Sequence, residues 1–249
     1  MGTFFSGLTN AGTSITISAT PIASNICGQI GSFVLNFDDI PPLAIGNEPY
    51  DSVQPLPVFN PYHQFDFSDG FTVVPPPTVP YLPSSKPLLL EYIPRINYSI
   101  SQSQQANLTK NTLGQSTSAR IGSGDHGQTS CFNFNVIGAL FGCDSAGPNC
   151  DFTFTGFRFN KSSGTASEVI CQRKSIKACS SLRNCSLMPI NLHPTFQDLD
   201  FLRINLTVAG KPKIWWMDDL SLAWSNNSCA AEQCRIQTHI HRKKGLIIY

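Results

Sequence analysis

Leu202-Arg203-Ile204-Asn205-Leu206-Thr207-Val208 alternates apolar and polar residues without a break. Successive side chains of a strand point to opposite faces, so this pattern predicts a half-buried β-strand. Leu202, Ile204, Leu206 and Val208 line its buried face. Asn205 opens the sequon Asn205-Leu206-Thr207 and falls on the other face, where a glycan has room. The same period recurs on both sides. Upstream, Phe132, Phe134 and Val136 alternate with Asn133 and Asn135, and Phe152 and Phe154 with Thr153 and Thr155. The phase breaks at Gly156 before Phe157 and Phe159, which predicts a bulge. Downstream, Ile214–Trp224 reads as the last strand, with Leu220, Leu222 and Trp224 on its buried face.

The first half is read in the same way. Ser32–Phe37 is the first strand, ended by Asp38-Asp39-Ile40-Pro41-Pro42, because proline cannot continue a ladder. Phe65–Phe67 and Phe71–Val74 flank Ser68-Asp69-Gly70 as an expected hairpin. Pro75–Pro83 is extended and polyproline-like, and Leu88–Ile93 is a further strand. Residues 1–30 read as a flexible Gly/Ser/Thr-rich arm, residues 31–234 as the β domain, and 235–249 as a basic, disordered tail. A polar insertion is expected near 99–130. Eight or more strands and no convincing helix predict an all-β fold, an antiparallel two-sheet sandwich of jelly-roll type.

Composition narrows the function classes. Charged residues make up 13% of 249, and the net charge is +1. No field steers this chain toward nucleic acid or an acidic membrane. No transmembrane stretch is expected. Nine cysteines lie in turn-flanked positions without zinc spacing, so disulfides are expected, with one thiol left over. Cys143 and Cys150 bracket a turn-rich loop and are expected to pair, as are Cys229 and Cys234. The sequons at Asn97, Asn107, Asn160, Asn184, Asn205 and Asn226 point with them to an extracellular or cell-surface glycoprotein. Residues 1–20 lack a basic region and an apolar run of signal-peptide length, so this expectation implies an upstream or processed leader.

Several short motifs occur in an order that resembles a known group. They are Phe37-Asp38-Asp39-Ile40, Pro61–Phe67, Phe141-Gly142-Cys143 with Cys150–Gly156, and Trp216–Leu222. Together they are similar to uncharacterised secreted fungal proteins with a jelly-roll, galactose-binding-like domain. His63 and the stretch 99–130 depart from that group. The resemblance implies that the first and last strands are adjacent and that the fold resembles a carbohydrate-binding module. It implies no particular activity.

Three constellations are candidates for chemistry. Asp38, Asp39, Asp218 and Asp219 come together if the first and last strands pair. Carboxylates crowded in this way repel unless a cation joins them, and calcium takes six to eight oxygens. One structural calcium is therefore expected, against the alternative that each aspartate caps a strand end. Trp215, Trp216, Tyr62 and His63, with Tyr81 and Tyr92, are candidates for a sugar-stacking platform, against the alternative that each ring is core. Neighbouring Trp215 and Trp216 must point to opposite faces. His239-Ile240-His241 reads as part of a solvated tail rather than a metal site. The function expected is non-catalytic binding of cell-wall or host glycans. The alternatives are a structural or adhesive glycoprotein domain and a polysaccharide-active enzyme.

Overall fold

The computed structural model describes residues 30–40, 55–74, 80–95, 116–123 and 129–245. Cys27, Asn97, Asn107, the proline run 75–79, residues 1–29 of the arm and most of the stretch 99–130 lie outside the described residues.

Two antiparallel sheets pack face to face as a sandwich. The first holds β10 (Met188–Asn191), β7 (Phe134–Cys143), β13 (Trp215–Trp224), β5 (Leu89–Tyr92), β4 (Phe71–Val74) and β2 (Leu56–Pro57), in that order. Its seventh strand, β1 (Ser32–Leu35), pairs with β13. The second sheet runs β3 (Phe65–Phe67), β6 (Ser118–Ser123), β11 (Phe201–Val208), β8 (Cys150–Asn160) and β9 (Thr165–Ile176), with β12 (Lys211–Pro212) beside β11. First and last strands are adjacent, with Ser32 opposite Ala223 and Leu35 opposite Leu220.

The period-2 faces meet between the sheets. Leu202, Ile204, Leu206 and Val208 are buried with Phe134, Val136, Phe152, Phe154, Trp215, Leu222 and Trp224 in one core. Ring-on-ring contacts dominate its centre: Phe65 stacks on Trp224 at 5.1 Å, and Trp215 meets Phe71, Tyr92, Phe141 and Phe152. The alternate residues Val74, Leu89 and Trp216 point the other way. They form a second cluster with Tyr81, Cys179 and Leu187.

Several local expectations are corrected. Phe65–Phe67 and Phe71–Val74 are not a hairpin: β3 pairs with β6 in one sheet and β4 with β5 and β2 in the other. Ser68-Asp69-Gly70 carries the chain between sheets, with Gly70 at φ 99°. Within the expected polar insertion, residues 118–123 form β6, which lies between β3 and β11. Arg120 sits on the outer face, Ala119 and Ile121 fill the core, and the Ser123 hydroxyl is buried and donates to the Asp200 carbonyl at 3.2 Å. The bulge at Gly156/Phe157 is present: Gly156 faces Ile170 and Phe157 faces Glu168, so the additional residue is Val169 on β9.

Where a disordered tail was expected from 235, residues 235–245 are helical. The helix α1 spans Cys229–Gly245, with the Ser228 hydroxyl accepting from the Ala231 N–H at 3.3 Å. His239 and His241 lie in this helix. It is anchored through Arg235, which is fully buried with Glu232. The guanidinium donates to Glu232 Oε2 at 2.7 Å and to the Cys131 carbonyl at 2.8 Å, and lies 4.5 Å over the Trp224 ring.

Disulfides join Cys143 to Cys150, as expected, Cys179 to Cys185, and Cys131 to Cys234. The expected Cys229–Cys234 bridge is therefore absent, and Cys229 is held in another disulfide. A five-residue offset in a helix separates two side chains by about 140° around the axis and about 7.5 Å along it, too far to bridge. Among the described cysteines the free thiol is Cys171, which is exposed.

Candidate functional site

The acidic residues nominated from sequence are divided among different partners. β13 changes neighbour along one edge: Trp215–Met217 face β5, whereas Leu220–Ala223 face β1. At the junction the ladder to β7 is also shifted, and Asp219 takes φ 51°. The Asp218 side chain is fully buried there. Its Oδ2 accepts from the Ser84 and Ser85 N–H groups at 2.7 and 3.0 Å, and its Oδ1 from the Ser85 hydroxyl at 3.1 Å and the Asp219 N–H at 2.8 Å. Asp38 Oδ1 accepts from the Leu88 N–H at 2.9 Å. Asp38 and Asp218 thus hold the two ends of the segment that leads into β5. Burial, and then the neighbouring Asp219 charge, push the Asp218 carboxyl up to about 6 against the opposing hydrogen bonds.

Asp39 turns elsewhere. It accepts from the Tyr62 hydroxyl at 2.5 Å and meets His63 Nε2 at 2.6 Å. Burial works to raise its pKa, but the hydrogen bonds from Tyr62 and His63 and the attraction to His63 hold it below the usual range. Tyr62 is pushed up, first by burial and then by Asp39. His63 and Gln64 carry positive φ angles of 45° and 71°, so a tight turn presents the imidazole. Among the described residues, no group of three or more His, Cys, Asp or Glu side chains is placed to hold a metal ion.

The expected sugar platform is corrected by burial. Trp215 and Trp216 do point to opposite faces, but both are buried, as are Tyr62, Tyr81 and Tyr92. Trp215 lies between the sheets. Trp216 is covered by Tyr81 and the Cys179–Cys185 loop, which reaches the outside of the first sheet through the Tyr81–Cys185 bridge. Gly142 permits this contact, since a Cβ there would lie 2.7 Å from the Tyr81 ring. Of the four residues nominated for a ligand, only His63 is exposed.

A different constellation occupies the outer face of the second sheet. Phe201 lies opposite Phe157 on β8 and Gly122 on β6. One step along β11, Arg203 lies opposite Arg120 and Thr155. The Phe157 and Phe201 rings are half-buried and stack at 4.5 Å with 10° between their planes. The Arg120 guanidinium lies 4.1 Å over Phe201, and that of Arg203 4.7 Å over Phe157. Gly122 leaves room for the stack, since a Cβ there would lie 3.0 Å from Phe201 Cβ. Acids flank it: Glu168 opposes Phe157 and reaches Arg203 at 3.9 Å, and Asp66 opposes Gly122. Burial lowers the Arg120 pKa against the attraction of Asp66. Asn205 and Thr153 continue the same face along the sheet. Rings, guanidinium donors and carboxylate acceptors together can contact both the C–H faces and the hydroxyls of a sugar.

The signal for this constellation was present in the sequence. Phe201, Arg203 and Asn205 are the other half of the alternation whose buried half is Leu202, Ile204 and Leu206. Their partners from β6 and β8 could not be assigned without the strand order.

The family described as "Domain of unknown function (DUF7371)" matches residues 29–235. No curated protein matches the chain. Among solved structures, a DUF4465 family protein from Bacteroides caccae is 11% identical, with a TM-score of 0.44, over 78% of this chain and 99% of that one.

Proposed function

This chain belongs to the DUF7371 family, and we propose that it is an extracellular, non-catalytic domain that binds glycans on the outer face of its second sheet. The observation that carries this reading is the Arg120–Phe201–Phe157–Arg203 stack, open to solvent on a sheet whose other face is core. A sheet face presents a broad, shallow surface suited to an extended chain of sugars. Three described disulfides support an oxidising compartment. Among the described residues, no helix is long and apolar enough to cross a membrane.

The test is a glycan array probed with the wild type and with Phe157→Ala/Phe201→Ala. Binding by the wild type that is lost in the double variant, with retained cooperative unfolding, is the expected result. An array with no bound glycan overturns the reading.

A second reading has its own observation. Asn205 lies on the same face, two residues from Arg203, so a glycan attached there would cover the stack. The domain would then be a structural or adhesive glycoprotein unit without sugar affinity. Intact-mass analysis of secreted protein, with and without Asn205→Gln, separates the two: full occupancy of Asn205 favours the structural unit.

A further inference from the structure

β9 ends the second sheet. Its one described neighbour strand is β8, and among the described residues its other edge has no backbone partner. From Thr165 to Ser175 its residues are exposed, apart from the half-buried Ile170 and Gln172. A free edge of this length is a template for another strand. Charges and bulges commonly protect such edges; on β9 their placement makes the strand complementary to itself. The Cys171–Thr155 pair is the midpoint of the β8–β9 ladder, five positions from Cys150–Ile176 and five from Asn160–Thr165. The bulge is what centres it. Because Val169 has no partner on β8, Glu168 stands two ladder positions from Cys171 on one side, opposite Phe157, and Arg173 two on the other, opposite Thr153. Glu168, Cys171 and Arg173 therefore share the outer side of the sheet, away from Phe152 and Phe154 in the core.

We infer that β9 pairs antiparallel with β9 of a second copy of this chain, about a two-fold axis at Cys171. The contact is isologous, so every pair across it occurs twice except the central one. In this register each Glu168 faces Arg173 of the other copy, Ile170 faces Gln172, and Ser167 faces Lys174. Opposite charges directly across a ladder stabilise it, and no like charges meet here. Sliding by one position in either direction separates Glu168 from Arg173, so the charges fix the register. The Glu168 carboxylate can take this partner because its contact with Arg203 is long, 3.9 Å, and half exposed. Pairing joins the second sheets of two copies into one and sets both Phe157–Phe201 stacks on the same outer face; it does not depend on glycan binding. An edge-to-edge contact is small, so the pair is reversible and the free copy presents the Cys171 thiol. At the axis the two thiols lie opposite one another. The Cβ atoms of directly opposite residues approach to about 4.5 Å, the upper end of what a disulfide spans. A small disulfide such as oxidised glutathione can then lock the pair. One Cys171 thiolate forms a mixed disulfide and releases a glutathione thiol, and the second Cys171 displaces the other glutathione. Two protein thiols are oxidised to one disulfide, and the reagent is reduced to two thiols that carry both protons.

The experiment uses the full chain as wild type, Cys171→Ser, Glu168→Arg and Arg173→Glu, with thermal unfolding as the fold control. Sedimentation velocity over a concentration series, with Cys171 kept reduced, reads the pairing. Treatment with oxidised glutathione, followed by a non-reducing gel and peptide mapping, reads the register. The wild type should dimerise as concentration rises and should yield a Cys171–Cys171 peptide on oxidation. Cys171→Ser should keep the dimer and lose the crosslink. Glu168→Arg alone and Arg173→Glu alone should each weaken dimerisation at least tenfold, because each sets like charges opposite one another twice. An equimolar mixture of these two variants should pair again, because each then meets opposite charges on the other. A wild type that stays monomeric at every concentration, and that oxidation converts only to the mixed disulfide with glutathione, would overturn the inference. So would a dimer that both charge reversals leave unchanged, since its contact would lie on another face.

Discussion

Replacing Asp218 by asparagine separates two opposing forces on a buried carboxylate. Four donors, the Ser84, Ser85 and Asp219 N–H groups and the Ser85 hydroxyl, favour the ionised form. Burial and the adjacent Asp219 charge favour the neutral form, and the balance raises the pKa from 3.8 to about 6. A raised folded-state value means that the folded protein binds the proton more tightly than the unfolded chain does. The wild type should therefore gain stability as pH falls from above 6 toward 3.8. For a shift of this size, the gain from this group is about 1.4 kcal/mol between pH 7.5 and pH 5. Glu91 contributes with the same sign, because burial raises its pKa as well. Only the difference between wild type and Asp218→Asn isolates Asp218. Urea unfolding at pH 7.5, 6 and 5 suits the assay, with the fluorescence of the buried Trp215, Trp216 and Trp224 as the probe. The difference in unfolding free energy should widen in favour of the wild type as pH falls. Parallel curves would refute the argument. A difference that moves the other way would show that the four donors outweigh burial.

Other outcomes follow from the packing. Arg235→Met should destabilise by about 3–5 kcal/mol in urea unfolding, because it leaves the Glu232 carboxylate buried without its guanidinium. Gly142→Ala should lower stability by about 1–3 kcal/mol, as the added Cβ meets the Tyr81 ring across the first sheet; an unchanged unfolding midpoint would contradict that contact. Non-reducing peptide mapping should recover Cys131–Cys234, Cys143–Cys150 and Cys179–Cys185, with alkylation of Cys171 in the native protein; a Cys229–Cys234 peptide would refute the placement of α1. His63→Ala should leave glycan binding unchanged, since His63 engages Asp39 and Tyr62 rather than the stack; a loss in the same titrations would move the site to that turn.

Alternation along single segments was enough to read the sandwich. Leu202–Val208, Phe152–Phe154 and Leu220–Trp224 each carry their burial in a local period, because the side-chain direction in a strand depends only on parity. The adjacency of first and last strands came from motif order and is borne out by the Leu35–Leu220 register. The Cys143–Cys150 pair was legible because the six turn-forming residues between them leave few alternatives.

What only the tertiary structure decided is how segments distant in sequence share space. Residues 118–123 are polar enough to pass for an insertion until β3 and β11 close around them. Trp216 is on a face that parity alone leaves open, and it is core because the 179–185 disulfide loop covers it. Asp39 and Asp218 were nominated as a pair, yet each takes hydrogen-bond donors from a different loop. The Arg–Phe stack draws on β6, β8 and β11, whose pairing depends on strand order. Local sequence sets which way a side chain points; the order of strands and the paths of loops set what it meets.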